Sequence, residues 1–230
     1  MEFIIIAIVA IIFLLILGYL FGYNMKKIKH IVDNDKDLDE LSKKYPSNIE
    51  LCKKYLKKLN NESVIIEEDK NSEASLYIAI SNKILIANIA KSYTRIQTIA
   101  HECLHSIQDR RLLIFNFIFS NIYLLYFTVI CILGILQVLP NKLMFLSMYL
   151  ILSMVYYAVR VYLENDAMIK ARYLAKDYME EEKISSKEEI EKIVNGFDRI
   201  NNLGIKVTNY KFFLNIMVKL LVFIIICFIR

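Results

Sequence analysis

Histidine is scarce in this chain, with three in 230 residues, and cysteine is hardly commoner, with four. Cys52, Cys103, Cys131 and Cys227 show no pairing pattern, and the last two fall in apolar runs, so neither a disulfide framework nor a four-cysteine zinc site is expected. A reducing compartment follows as the simplest setting. Nor is a cleavable leader expected. Only Glu2 precedes the first apolar run and no small-residue cleavage site follows it, so that run is read as a retained anchor; an uncleaved signal sequence would give the same topology. The excess of positive charge is slight, +5, and the lysines gather where apolar segments end. Positive-inside sorting accounts for that pattern, and no nucleic-acid partner is expected.

What the chain has in quantity is apolar sequence. It is 57% hydrophobic with mean hydropathy +0.41, beyond an ordinary soluble domain. The apolar residues bunch into 3–22, 113–139, 143–163 and 212–229, each long enough to cross a bilayer core, which needs about 20 apolar residues. Residues 24–112 are rich in Lys and Arg, including Lys26, Lys27, Lys29, Arg110 and Arg111, whereas the turn at Pro140, Asn141 and Lys142 offers one lysine. The charge rule places the longer loop in the cytoplasm. The two middle spans form a hairpin that returns the chain to the same side, so 164–211 are cytoplasmic too, and the N-terminus and Arg230 face outside. The expected fold is a mainly α membrane protein: an anchor over 1–23, a cytoplasmic segment over 24–112, a transmembrane hairpin over 113–163, cytoplasmic helices over 164–211 and a last span over 212–230. The cytoplasmic part is expected to be a small α+β zincin-like domain.

Two of the three histidines stand in His101-Glu102-Cys103-Leu104-His105, an H-E-x-x-H string within a helix expected over 92–111. Positions i and i+4 share a helix face, so both imidazoles can reach one Zn²⁺ while Glu102 holds the attacking water. Catalytic zinc commonly takes two His and a carboxylate and leaves a position for water. Glu164, where the third span emerges, supplies the carboxylate, and Ala167, on the same side of its helix, allows close approach to the H-E-x-x-H helix. In the peptide hydrolysis this set implies, Glu102 takes the water's proton and passes it to the leaving amine. The oxyanion needs a further donor, for which Tyr93, Tyr162 and Arg160 are the candidates. Arg160, at i−4, could instead pair with Glu164 or snorkel. Asp109 is a candidate to orient His105, with a charge pair to Arg110 as its alternative.

Around these residues, Lys26 to His30 is a juxtamembrane basic cluster suited to anionic headgroups, and His30 needs no special role there. Ser47 or Asn48 caps an amphipathic helix with Leu51, Tyr55, Leu56 and Leu59 in one stripe. Short strands are expected over 64–68, 75–80 and 84–88, the last two as a hairpin about 81–83. Ser92 is expected to cap the motif helix, which continues through Arg110 and Arg111 into the second span. Ser186 to Glu189 is a capping box opening a helix that runs to about Asn202 and stops at Gly204, burying Ile190, Ile193, Val194 and Phe197. Lys219 falls about 12 Å into the last span, a depth at which a charge is costly unless it snorkels.

The run Ile99 to Asp109, I-A-H-E-C-L-H-S-I-Q-D, resembles the A-x-H-E-x-x-H-x-x-Q-D stretch of the bacterial membrane-bound neutral zinc metallopeptidases (YugP-like). The likeness is strongest over 75–111 and 164–175. It implies the same layout of anchor, zinc helix, transmembrane hairpin, E-x-x-A helix and final span, located in the bacterial plasma membrane. It also implies that strand 84–88 offers a free edge to an extended substrate backbone, although a sheet that merely covers the helices is equally compatible. Leu104 departs from the family, which usually has glycine there, so wider surroundings for the zinc helix are expected. The HtpX-like membrane zinc proteases are the second resemblance, weakened by the lack of an aspartate after Ala167. Substrates implied are peptides at the interface or loosened segments of membrane proteins, with the lipid bilayer as the other partner. The rival reading is a noncatalytic multi-span adaptor or transporter accessory with a degenerate motif. The deformylase type of H-E-x-x-H enzyme is disfavoured, because Cys52 does not stand in the upstream context it requires.

Overall fold

The computed structural model describes residues 1–69, 71–72, 74–89 and 92–228. The end of the fourth expected span and the placement of Arg230 lie outside them. The chain is mainly helical: α1 (Glu2–Asn34), α2 (Lys36–Ser42), α3 (Asn48–Lys58), β1 (Ile65–Asp69), β2 (Leu76–Ile78), β3 (Lys83–Ala87), α4 (Arg95–His105), α5 (Arg110–Ile135), α6 (Lys142–Glu182) and α7 (Lys187–Phe228). Of these, α1, α5, α6 and α7 are long and apolar enough to cross a membrane. The chain divides into two compact units.

The first unit comprises Met1–Lys26, Phe115–Tyr162 and the chain from Lys206 on. Most of its outward side chains are apolar, among them Leu15, Leu125, Met154 and Val218, as suits a surface facing hydrocarbon. Its interior is not wholly so. The Tyr149 hydroxyl donates to the Ile216 carbonyl at 2.9 Å, and the Tyr123 hydroxyl lies 2.8 Å from that of Tyr149. Lys219 Nζ stands 4.7 Å from the centre of the Tyr123 ring and 5.6 Å from that of Phe127, so its charge meets ring faces. Gly134 lets α5 and α7 approach closely: a Cβ there would come within 2.8 Å of Ile226 Cγ2.

The second unit, Lys27–Ile114 with Leu163–Ile205, carries the motif. Ser47 caps α3 in a full capping box with Glu50. Leu51, Cys52, Tyr55 and Leu56 of α3 pack with Ile96, Ile99, Ala100 and Cys103 of α4, Ile84 and Ile86 of β3, and Ile190, Ile193 and Val194 of α7. Each large apolar side chain so buried contributes roughly 1.5–3 kcal/mol, which outweighs the weak intrinsic propensity of an eleven-residue helix. On α6, Ala167, Ala171 and Ala175 are completely buried, one turn apart on one stripe.

Several expectations need correction. The sheet forms with its strands shifted by a residue or so, and the β2–β3 hairpin turns through Asn82 in the left-handed region (φ 47°). Its order, however, is β1-β3-β2, with β1 parallel to β3. The 84–88 strand is therefore central and has no free edge; β1 and β2 are the edges. The motif helix does not run on into α5. It ends at His105, and α5 starts afresh at Arg110, where Asp109 accepts the Arg111 N–H at 2.8 Å as a helix cap. The start also moves. Ser92 makes a turn with Thr94 (Oγ to Oγ1 2.7 Å), and Thr94 holds the cap position without a side-chain bond. Gly204 does not stop a helix either. It keeps a helical φ inside α7, and a Cβ there would stand 3.2 Å from Met168 Cε, so the glycine makes room for α6. The capping box at Ser186 and Glu189 is present, with bonds of 3.1 and 3.3 Å.

Candidate metal site

Helix α4 is fixed at both ends before any functional group is considered. At its start Arg95 is buried and donates to the carbonyls of Ser42, Tyr45 and Pro46 and to Asn48 Oδ1, at 2.8–2.9 Å. At its end Asn61 Nδ2 donates to the Ser106 carbonyl at 3.0 Å. Ala100 and Cys103 turn into the core, the Cys103 and Cys52 sulfurs 3.5 Å apart as free thiols. The opposite side of the helix presents His101 and His105 towards α6. Leu104 is buried in the same core.

His101 and His105 meet Glu164 of α6 there. The two Nε2 atoms are 3.1 Å apart, and Glu164 Oε2 lies 3.6 Å from the first and 3.7 Å from the second. Three ligands at tetrahedral positions with bonds of roughly 2.0–2.1 Å would be about 3.4 Å apart, so the triangle has the size a zinc-like ion requires. Two imidazole nitrogens and one carboxylate oxygen also suit such an ion chemically. Glu102, 6% exposed, lies beside the triangle, with Oε1 3.9 Å from His101 Nε2.

The carboxylates and imidazoles of the cluster shift one another's protonation. Burial pushes Glu102 up from the usual carboxylate range; the neighbouring imidazoles and the Tyr77 main-chain N–H only partly offset it. Burial also acts on Glu164, but hydrogen bonds to both histidines prevail and hold it well below that range. Burial would lower His105, yet Glu164, Glu102 and Gln108 together raise it. Two carboxylates beside two imidazoles make a cluster of donors that attracts positive charge.

Other expected site residues lie elsewhere. Tyr93 precedes α4 by two residues; its buried hydroxyl donates to the Gly196 carbonyl at 3.4 Å, and burial raises it above the ordinary phenol value. It also contacts α2, where its main-chain N–H donates to Asp39 Oδ1 at 2.8 Å. Asp109 is spent on capping α5 and does not orient His105. Arg160 and Tyr162 belong to the first unit. Arg160 lays its guanidinium over the Phe212 ring at 5.2 Å and, among the described residues, forms no ion pair. Tyr162 is 61% exposed and, two residues before Glu164, points to the other side of α6. His30 is exposed next to Asn34.

The residue that does hold His105 is Gln108. Its Oε1 lies 2.8 Å from His105 Nδ1, and its Nε2 donates to the Leu163 carbonyl at 2.8 Å and to Asp166 Oδ2 at 3.1 Å. Its position three residues after the second histidine, one turn on, was the available clue. Against these features, no family model matches the chain, and neither does any curated protein or solved structure.

Proposed function

We propose that this chain is a membrane-embedded, zinc-dependent peptidase of the bacterial plasma membrane that hydrolyses peptide bonds at the cytoplasmic face. The observation that carries the reading is the His101, His105 and Glu164 triangle, drawn from two helices to the spacing of tetrahedral ligands with a buried carboxyl beside it. His101, His105 and Glu164 would hold Zn²⁺. When bound, the metal supplies Lewis acidity towards water and a carbonyl. Glu102 is the general base: buried, and with its proton affinity raised, it takes a proton from water and gives it to the leaving amine. The zincin-like character of the second unit, the likeness to neutral zinc metallopeptidases and the cytoplasmic orientation belong to this same proposal.

The sheet order shifts the expected substrate edge. β3 is enclosed, so we assign the role to β2, an edge strand whose Tyr77 main-chain N–H influences Glu102. A peptide adding to that edge would be bound through its backbone and would tolerate varied side chains.

The test is elemental analysis of the detergent-purified full chain as wild type, His105→Ala and Glu164→Ala. About one zinc per chain, lost from both variants, is the expected result. Zinc-free wild type would overturn the reading in favour of a noncatalytic membrane protein. Zinc retained by Glu164→Ala would remove Glu164 from the ligand set.

A further inference from the structure

We infer that Gln108 is a positioning residue of this site, selecting the tautomer of His105 and fixing the stretch of α6 that bears Glu164 with the two ends of one amide. The inference rests on the metal-site reading for its consequence, but its structural content stands on Gln108 itself.

An amide has one accepting end and one donating end, and which faces where is settled by its partners. Gln108 Nε2 faces the Leu163 carbonyl oxygen and Asp166 Oδ2, at 2.8 and 3.1 Å. Both are acceptors: the carbonyl always, and Asp166 as the carboxylate paired with Lys170 at 2.6 Å. The NH₂ group must therefore point at α6, which leaves Oε1 for His105 Nδ1, 2.8 Å away. An oxygen there requires a proton on Nδ1. In neutral His105 the lone pair is then on Nε2, the atom that stands 3.1 Å from His101 Nε2 and 3.7 Å from Glu164 Oε2. The imidazole is oriented to ligate before any metal arrives.

The other end of the amide acts on the third ligand. Leu163 and Asp166 flank Glu164 on α6, so two bonds from one side chain limit the sliding and rotation of that helix against the end of α4. Asp166 is held in turn by Lys170 at 2.6 Å. No other described side chain bonds to His105 Nδ1, since Asp109 faces α5. Partners of this kind behind a ligating histidine typically change metal affinity by about 10–100-fold when removed.

The experiment uses the full chain in detergent, with Gln108→Leu, which loses both ends, and Gln108→Glu, which keeps an acceptor for Nδ1 but cannot donate to Leu163. The three histidines are labelled with ¹⁵N, and the His105 tautomer is read by long-range proton–nitrogen correlation on metal-free protein at alkaline pH. Zn²⁺ affinity is measured separately by competition with a chromophoric chelator. Wild type and Gln108→Glu should show the Nδ1–H form, and Gln108→Leu should lose that preference. Affinity should fall by about 10–100-fold in Gln108→Leu and by a smaller factor in Gln108→Glu. An Nδ1–H tautomer in Gln108→Leu, or zinc affinity within about twofold of wild type, would overturn the inference while leaving the ligand set intact. Wild type that binds no zinc would overturn the metal reading instead, and the tautomer would still report on Gln108.

Discussion

His101 Nε2 and Glu164 Oε2 stand 3.6 Å apart, the imidazole on α4 and the carboxylate on α6. His105 completes the triangle at 3.7 Å from the same oxygen. The contact between His105 and Glu164 ties the folded state to protonation, because these two groups shift in opposite directions.

Glu164 is held below its ordinary value of 4.5, so its contribution to stability is present above 4.5 and is lost as pH falls through its lowered native pKa. His105 is raised above 6.5, so its contribution is complete below 6.5 and disappears as pH rises through its native pKa. Metal-free wild type should therefore exceed Glu164→Gln in melting temperature most clearly between 4.5 and 6.5, and the gap should close on both sides. Melting curves of the two proteins in chelator across pH check this; a gap that widens steadily into alkali would contradict the pairing.

Glu102→Gln preserves volume and removes the proposed general base. Peptide hydrolysis should fall by roughly 10²–10⁴-fold, the usual worth of a general base, while zinc content stays at the wild-type level. Loss of zinc along with activity would mean that Glu102 supports the site instead of acting in the reaction.

Asp109→Ala removes the cap of α5. It should cost about 1 kcal/mol of stability and leave zinc affinity unchanged, in contrast to substitutions at the adjacent Gln108. Chelator competition alongside a melting curve separates the two. A drop in zinc affinity would return Asp109 to the role its place in the sequence suggested.

Gly134→Ala places a methyl 2.8 Å from Ile226 Cγ2. A helix contact that tight resists the added group, and a loss of about 1–3 kcal/mol is expected, largely recovered in the double variant with Ile226→Ala. Additive losses in the double variant would show that Gly134 serves something other than this contact.

The parts legible in the sequence were those fixed by local chemistry. The i, i+4 histidines, the Ser47 and Ser186 capping boxes and the apolar runs each declare themselves within a few residues. What stayed hidden depends on partners distant in the chain. Strand order is one case, since parallel pairing of β1 with β3 leaves no mark in either strand. The break after His105 is another, because helix-compatible residues run on through it and only the cap bond at Asp109 reveals the restart. Gly204 looked like a terminator until the Met168 side chain was placed against it. Gln108 and Asp109 are neighbours of similar polarity, and only the position of α6 decides which one serves the histidine.

The completely buried stripe of Ala167, Ala171 and Ala175 carries no reactive group, yet it shares one core with Ile96, Ile99, Ala100 and Cys103 of α4, the helix that bears the histidines. Under the proposed function, the demands of the site extend to residues that take no part in the chemistry. Valine at any of the three would leave every proposed ligand in place and overfill the packing beneath them, a fault invisible to an inventory of the site's own residues.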